Sequence, residues 1–292
     1  MCPVGQGEAA GPGETDADGR ALPPTTRQIP ARAWRGSLPA DALECVADEV
    51  PVALVYNGIS HAVMLASPQH LDDFALGFSL TEGIVDSAAD LLDVEVTPHT
   101  LEGGAPGLTV DLRVTQRCFM RLKEKRRNLT GRTGCGLCGT ENLSEAVRPV
   151  PARVPLVRIT STALQRGMAE LAAGQALQQA TGASHAAAFC GLDGALLCVR
   201  EDVGRHNALD KLIGWLARSG RPADQGFICV TSRASYEMVF KTATAGVGLL
   251  AAISAPTALA VRTAESAGLT LLGYVRGDRA TVYAGDPGFA TP

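Results

Sequence analysis

From His185 onward short apolar runs alternate with helical faces, and that alternation leaves few folds open to the chain. His185 to Cys190 and Ala195 to Arg200 flank Gly191-Leu192-Asp193-Gly194, which reads as a hairpin turn. Leu209, Leu212, Ile213 and Leu216 then recur at helical spacing. They are followed by a strand over Phe227 to Thr231, a helix through Met238 and Phe240, a strand over Leu249 to Ser254, a helix over Ala258 to Ala267 and a strand over Leu269 to Val275. Strands separated by single helices pair in parallel through right-handed crossovers, with helices covering the sheet. The expected fold is α/β, with a three-layer α/β/α domain in the C-terminal half. Its ligands belong beyond the carboxyl ends of the strands, near Ser232-Arg233, Ser254-Ala255 and Tyr274 to Arg279.

Upstream the pattern differs. Residues 1–38 are rich in Gly, Pro, Ala, Thr and Asp and are expected to form a disordered or loosely attached tail. Residues 39–150 read as a smaller α+β region. In it a strand over Val50 to Tyr56, an Asn57-Gly58 turn and a strand over Ile59 to Ala66 are followed by a helix opening at Ser67-Pro68 and running through Phe78 and Leu80. Strands over Val94 to Thr97 and Leu108 to Val114 precede a basic helix. Residues 151–292 are assigned to the α/β domain.

The chain has 292 residues, enough for one large or two ordinary domains, and its 46% hydrophobic and 19% charged content fits a soluble globular protein. A formal net charge of -4 argues against a general nucleic-acid-binding surface. The opening residues carry acids and glycines without an apolar run, so no ordinary secretory signal is expected, and a cytoplasmic setting is. Thr242 to Val261 is uncharged and long enough to cross a bilayer, yet Gly246, Gly248, Ser254 and Pro256 interrupt it as a buried strand with helical flanks would require.

In mid-chain, Gly131-Arg132-Thr133-Gly134-Cys135-Gly136-Leu137-Cys138-Gly139 puts two thiols on a glycine-rich loop, two residues apart. Between Arg117 and Arg132 seven cationic side chains face the single anion Glu124, and positive potential lowers thiol pKa and attracts phosphates. Both sulfurs can reach one small target: each other, a metal, or an incoming sulfur. A structural zinc site commonly needs a second C-x-x-C knuckle, which the chain lacks; Cys118 and His206 would complete one only by tertiary accident, so no metal site is expected. A thioredoxin-like site expects its motif at a helix start after an early strand, which this loop is not. The pattern G-x-G-x-x-G at Gly134, Gly136 and Gly139 lacks the preceding strand and the later ribose-binding acid of a dinucleotide site. Cys190, Cys198 and Cys229 lie in apolar runs and are expected in the core.

Two further strings carry candidate chemistry. Arg200 to Lys211 crowds acids, bases and His206 into a strand-to-helix turn, where Asn207 could cap the helix and Asp210 favour its first turn, or where Glu201, Asp202 and His206 could serve a ligand. Arg276-Gly277-Asp278-Arg279 is a tight turn at the ligand edge, and its two guanidinium forks suit pyrophosphate oxygens. His185 invites comparison with zinc nucleobase deaminases, but Ala187 replaces the required glutamate and no P-C-x-x-C follows.

Taken together, EVPVALVYNGISHAVMLASP, FALGFSLTEGI, GRTGCGLCG, SHAAAF, EDVGRHNALDKLIG, TSRASYEMVFK and LLGYVRGDRATVYA resemble the formate dehydrogenase accessory sulfurtransferase family, the FdhD-type sulfur carrier proteins. The resemblance implies a two-domain chain whose C-terminal domain is similar to the cytidine deaminase fold. It implies a sulfurtransferase that takes persulfide sulfur from a cysteine desulfurase onto Cys135 and passes it to the molybdenum (or tungsten) bis-guanine-dinucleotide cofactor of formate dehydrogenase. Cys138 would either resolve a mixed disulfide with the donor or support the loop, and the sequence does not choose between the two. Tyr274, Val275, Arg276, Gly277, Asp278 and Arg279 would bind the cofactor, and the strand-end topology adds Ser232 and Arg233 as further candidates. Neither nucleic acid nor membrane is implied as a partner, and a homodimer is left open. A cofactor-binding chaperone and a zinc-stabilised adaptor are the alternatives, in which the chain transfers no sulfur itself.

Overall fold

The computed structural model describes residues 21–36, 38–129, 147–150 and 152–289. Its first sheet is a two-stranded antiparallel ribbon of β1 (Thr26–Arg35) and β2 (Leu38–Ala47). A four-stranded sheet follows, with β3 (Val50–Tyr56), β4 (Ile59–Ala66), β5 (Leu91–Thr100) and β6 (Pro106–Val114) in the order β4-β3-β6-β5. Asn57 and Gly58 both take positive φ, the conformation of a tight two-residue hairpin, and Asn57 also exchanges side-chain bonds with the Val114 backbone. Val50, Val52, Leu54 and Tyr56 alternate onto the buried face of β3, against α1 (Leu71–Thr81) and the start of α2 (Gln116–Leu129).

The second half contains α3 (Ser161–Ala173), α4 (Ala176–Thr181), β7 (His185–Gly191), β8 (Leu196–Asp202), α5 (Arg205–Ser219), β9 (Gly226–Val230), α6 (Tyr236–Thr244), β10 (Leu249–Ala252), α7 (Ala258–Ala267), β11 (Thr270–Arg276) and β12 (Arg279–Ala284). They form a six-stranded sheet of order β12-β11-β10-β9-β7-β8, in which β9, β10 and β11 are parallel. Ala187, Phe189, Ile228, Val230, Leu250 and Leu271 meet α5, α6 and α7 on one face. Ala188, Cys190, Phe227, Cys229, Leu249 and Leu272 meet α3 on the other. Burial on both faces explains why these strands are apolar runs rather than alternating ones. The molecule is thus of mixed α/β class, as expected.

Three expectations need correction. Residues 26–35, assigned to a disordered tail ending at 38, form a ten-residue strand, because the complementary stretch 38–47 lies just across the turn at Gly36. Helix α1 starts at Leu71, not at Ser67-Pro68; the Ser67 backbone N–H and carbonyl are instead taken by Asp202 and Lys211. Asn207 does not cap α5, whose cap position is Gly204; its amide donates to the Leu65 carbonyl and to Asp202. In the last two cases the partner lies more than 130 residues away or outside the local helix, beyond the reach of local pattern. The uncharged stretch Thr242 to Val261 becomes the end of α6, β10 and the start of α7, and no helix among the described residues is long and apolar enough to cross a membrane.

Helices α1 and α5 join the two larger sheets at a close crossing. A methyl group on Gly77 would run into the Asp210 carbonyl, and one on Gly214 into the Asp73 carbonyl. Only glycine lets the two backbones approach this far. Around the crossing buried charges are paired: Lys211 with Asp202 at 2.7 Å, both side chains 0% exposed, Lys241 with Asp210 at 2.7 Å, and Asp73 with Arg200 at 2.7 Å and Arg218 at 2.6 Å.

Candidate functional site

The parallel strands and β8 all end at one edge of the six-stranded sheet, where α5, α6 and α7 begin. The loops there are stitched together: Ala234 N–H donates to the Ala255 carbonyl, Thr257 N–H to Ala234, and Tyr274 N–H to Ser254. The predicted neighbourhoods of Ser232-Arg233, Ser254-Ala255 and Tyr274 therefore form one rim. Tyr274 is 51% exposed and has a φ of 52°, a conformation that turns it out of the strand where β11 and β12 lose register. Arg276, Asp278 and Arg279 are exposed at the hairpin tip, and Gly277 takes the positive φ of the turn. Val275, in the middle of the predicted binding segment, is buried against the α3 side of the core, so only its backbone faces the rim. Ser232 is buried and donates to the Arg233 carbonyl at 3.0 Å, while the Arg233 side chain is exposed.

The string Arg200 to Lys211 divides sharply. Glu201 accepts from the Leu177 and Gln178 backbone N–H groups and from Ser184, tying down the start of α4. Asp202 accepts from Ser67 N–H, Gly204 N–H, Asn207 and Lys211. Asp210 holds Lys241 and Thr81; burial drives its carboxyl above the usual range while Lys241 opposes the rise. Those acids are structural. Arg205 and His206, by contrast, face the rim. His206 Nε2 lies 2.6 Å from Glu237 Oε2, a close polar contact that is a full ion pair only when the imidazole is protonated. His206 foremost, with Lys241 and Arg205 adding and burial opposing, holds the Glu237 carboxyl below its ordinary range. At the same edge, burial first and then Arg205 and His206 push His185 below the usual imidazole value. Sequence reading missed Glu237, whose only signal was its place in the first turn of a predicted helix.

Cys135, Cys138 and Arg132 lie outside the described residues. The helix leading to them is less free in its charge than its composition suggests. Arg117 and Arg121 pair with Asp86, and Arg117 also with Asp90. Burial alone would raise the Asp90 carboxyl, but Arg117, the Asp86 backbone N–H and Thr115 together hold it down to about 2. Immediately after the loop, Arg148 pairs with Glu82 and stacks 4.5 Å from the Phe240 ring, and the Tyr236 hydroxyl takes its backbone N–H at 2.6 Å. Cys190, Cys198 and Cys229 are buried as expected, and burial pushes the Cys198 thiol up to about 12. Cys118 packs in the core of the four-stranded sheet, and its near neighbours are Asp86 and Asp90 rather than His206. Arg117 and Arg121 already occupy those carboxylates.

Residues 47–288 match the FdhD/NarQ family. A relative from Cupriavidus necator named sulfur carrier protein FdhD is 56% identical over 270 residues, which cover 92% of this chain and 91% of the relative. One of the same name from Variovorax paradoxus is 55% identical over 262 residues, 89% of this chain and 92% of its own. The crystal structure of a candidate formate dehydrogenase accessory protein from Desulfotalea psychrophila superposes with a TM-score of 0.70 at 19% identity, covering 91% of this chain and 100% of that one, a likeness of fold.

Proposed function

The chain belongs to the FdhD/NarQ family, and from that premise we propose that it is a sulfur carrier for the maturation of formate dehydrogenase. The observation that carries this reading is the 56% identity over nearly the whole chain with a protein named for that role. In the proposed reaction the Cys135 thiolate attacks the outer sulfur of a persulfide on a cysteine desulfurase. A new S–S bond forms on Cys135, the donor's S–S bond breaks, and the donor cysteine leaves as a thiolate, with no net oxidation. The cationic residues Lys123, Lys125, Arg126, Arg127 and Arg132 that precede Cys135 in sequence, and the glycines beside it, support it, since positive potential favours a thiolate and small residues favour close approach of the donor.

The recipient in this reading is the molybdenum (or tungsten) bis-guanine-dinucleotide cofactor, bound as substrate at the rim. Arg276 and Arg279 would hold its phosphates through charge-assisted bonds, the exposed Tyr274 ring would face a base, and Ser232-Arg233 would line the approach. Cys138 would assist by resolving a mixed disulfide with the donor or by supporting the loop.

Incubation with a cysteine desulfurase and free cysteine, followed by intact mass measurement, tests the carrier step. One reducible sulfur is expected on the wild type and none at that position in Cys135→Ala. Full loading of the variant would assign the chemistry to another residue.

A further inference from the structure

Arg148 follows, in sequence, the connection from α2 that carries Cys135 and Cys138. It lies in a stretch with neither helix nor strand, between the exposed Val147 and Pro149, yet three separate side chains grip it. Its backbone N–H donates to the Tyr236 hydroxyl at 2.6 Å, and that hydroxyl donates in turn to its carbonyl at 3.0 Å. Its guanidinium meets both carboxylate oxygens of Glu82, at 3.2 and 3.3 Å, and lies 4.5 Å from the centre of the Phe240 ring. Glu82 is the C-terminal cap residue of α1, which packs on the four-stranded sheet, whereas Tyr236 and Phe240 belong to α6 on the six-stranded one. One residue thus ties the end of the connection to both sheets.

Stability alone does not account for this arrangement. The Arg148 and Glu82 side chains are 38% and 32% exposed, and an ion pair in such contact with water adds little to folding. What the contacts do supply is direction. A planar guanidinium held along its edge by a carboxylate and across its face by a ring keeps one orientation, and the doubly bonded hydroxyl fixes the peptide groups beside it. The residue after Tyr236 is Glu237, which meets His206 at the rim, so one helical turn serves both the end of the connection and the rim.

We propose that Tyr236, Glu82 and Phe240 are positioning residues for sulfur transfer, holding Arg148, and with it the attachment of the Cys135 segment, in one orientation to α6. This rests on the carrier reading. Transfer to the acceptor depends on alignment of the reacting atoms, and a misplacement of about 1 Å can cost about a hundredfold in rate. Loading depends instead on how the donor enzyme docks on the segment itself.

Tyr236→Phe and Glu82→Gln in the full chain test the clamp. The first keeps the ring beside Phe240 and loses only the hydroxyl; the second keeps the side chain's size and loses its charge. Wild type and variants are loaded by a cysteine desulfurase with cysteine and then discharged along two routes. One is cyanide, which takes the outer sulfur as thiocyanate and returns the Cys135 thiolate; the other is an extract that lacks the carrier and holds inactive formate dehydrogenase. Both variants should load and react with cyanide at the wild-type rate, melt within a few degrees of it, and activate the dehydrogenase at least about threefold more slowly. The double variant should be little slower than the slower single one, since both contacts serve one residue. If Glu82→Gln does not fold, Tyr236→Phe decides. Activation at the wild-type rate would overturn the clamp and leave the carrier reading standing. An equal slowing with cyanide would also overturn it, by placing the effect on the thiol rather than on its position. A wild type that takes up no sulfur would overturn the carrier reading and the clamp's role together.

Discussion

The stretch Arg200 to Lys211 contributes both to the helix crossing at Gly77 and Gly214 and to the rim of the six-stranded sheet, with opposite electrostatic outcomes. At the crossing every charge has a partner: Asp202 with Lys211, Asp210 with Lys241, Asp73 with Arg200 and Arg218. At the rim Arg205 Nε and Ser235 Oγ have no hydrogen-bond partner among the described residues, and Arg276 and Arg279 stand exposed. A buried pair is costly to break because the survivor is stranded in low dielectric, whereas exposed guanidinium groups such as Arg276 and Arg279 contribute little to folding. The difference separates charges paired in the interior from donors left at the rim.

The largest effect is expected from Lys211→Met. Asp202 would keep its backbone bonds but lose its cation at a site with no solvent access, at a cost of about 3–5 kcal/mol in urea unfolding. A loss below about 1 kcal/mol would show that the pair is not what holds the crossing. Gly214→Ala comes next. The added methyl meets the Asp73 carbonyl, and displacing α1 should cost about 1–3 kcal/mol while leaving Asp73, Arg200 and Arg218 present.

A pH series sharpens the same contrast from the crossing side. Burial first, then Arg200 and Lys211, lowers His70 from 6.5 to about 4. Below 6.5 the unfolded chain takes up a proton that the folded chain refuses until about 4, so this contribution is complete above that window and is lost as pH falls through it. His70→Asn, which tolerates the left-handed backbone at that position, should flatten the dependence of the urea midpoint on pH between 6.5 and 4. An unchanged slope would assign the acid sensitivity elsewhere.

The smallest effect on folding belongs to the rim. Arg276→Ala/Arg279→Ala should change stability by no more than about 0.5 kcal/mol. The same double variant should weaken GDP binding by at least about tenfold, with sulfur loading of Cys135 intact. Loss of loading instead would mean that these arginines serve the donor enzyme.

Much of the architecture was legible in the chain. Apolar runs bounded by turn residues located β3, β4, β7 and β9 nearly to the residue, and helix α7 fell at its predicted limits, because strand and helix periods are local properties. The rim was legible too: the topology of alternating strands and helices sends the loops at Ser232, Ser254 and Tyr274 to one edge whatever the side chains do. The ribbon at Thr26–Arg35 was hidden by a composition suited to a tail, since its strand character comes from pairing with β2 rather than from its own residues.

What the sequence by itself determined is the β3–β4 hairpin, the alternating strands and helices from His185 onward, and the edge at which their connecting loops gather. Those follow from backbone sterics and the spacing of apolar residues. Only the tertiary structure decided the roles of the charged ones: that Glu201, Asp202, Asp210 and Lys211 hold elements together, that Glu237 meets His206, and that Arg205 Nε has no acceptor among the described residues. A charge carries no local signature of its partner. Its role is set by which opposite charge the fold brings within about 3 Å and how far water is excluded from the pair, and both are known only once distant segments have packed.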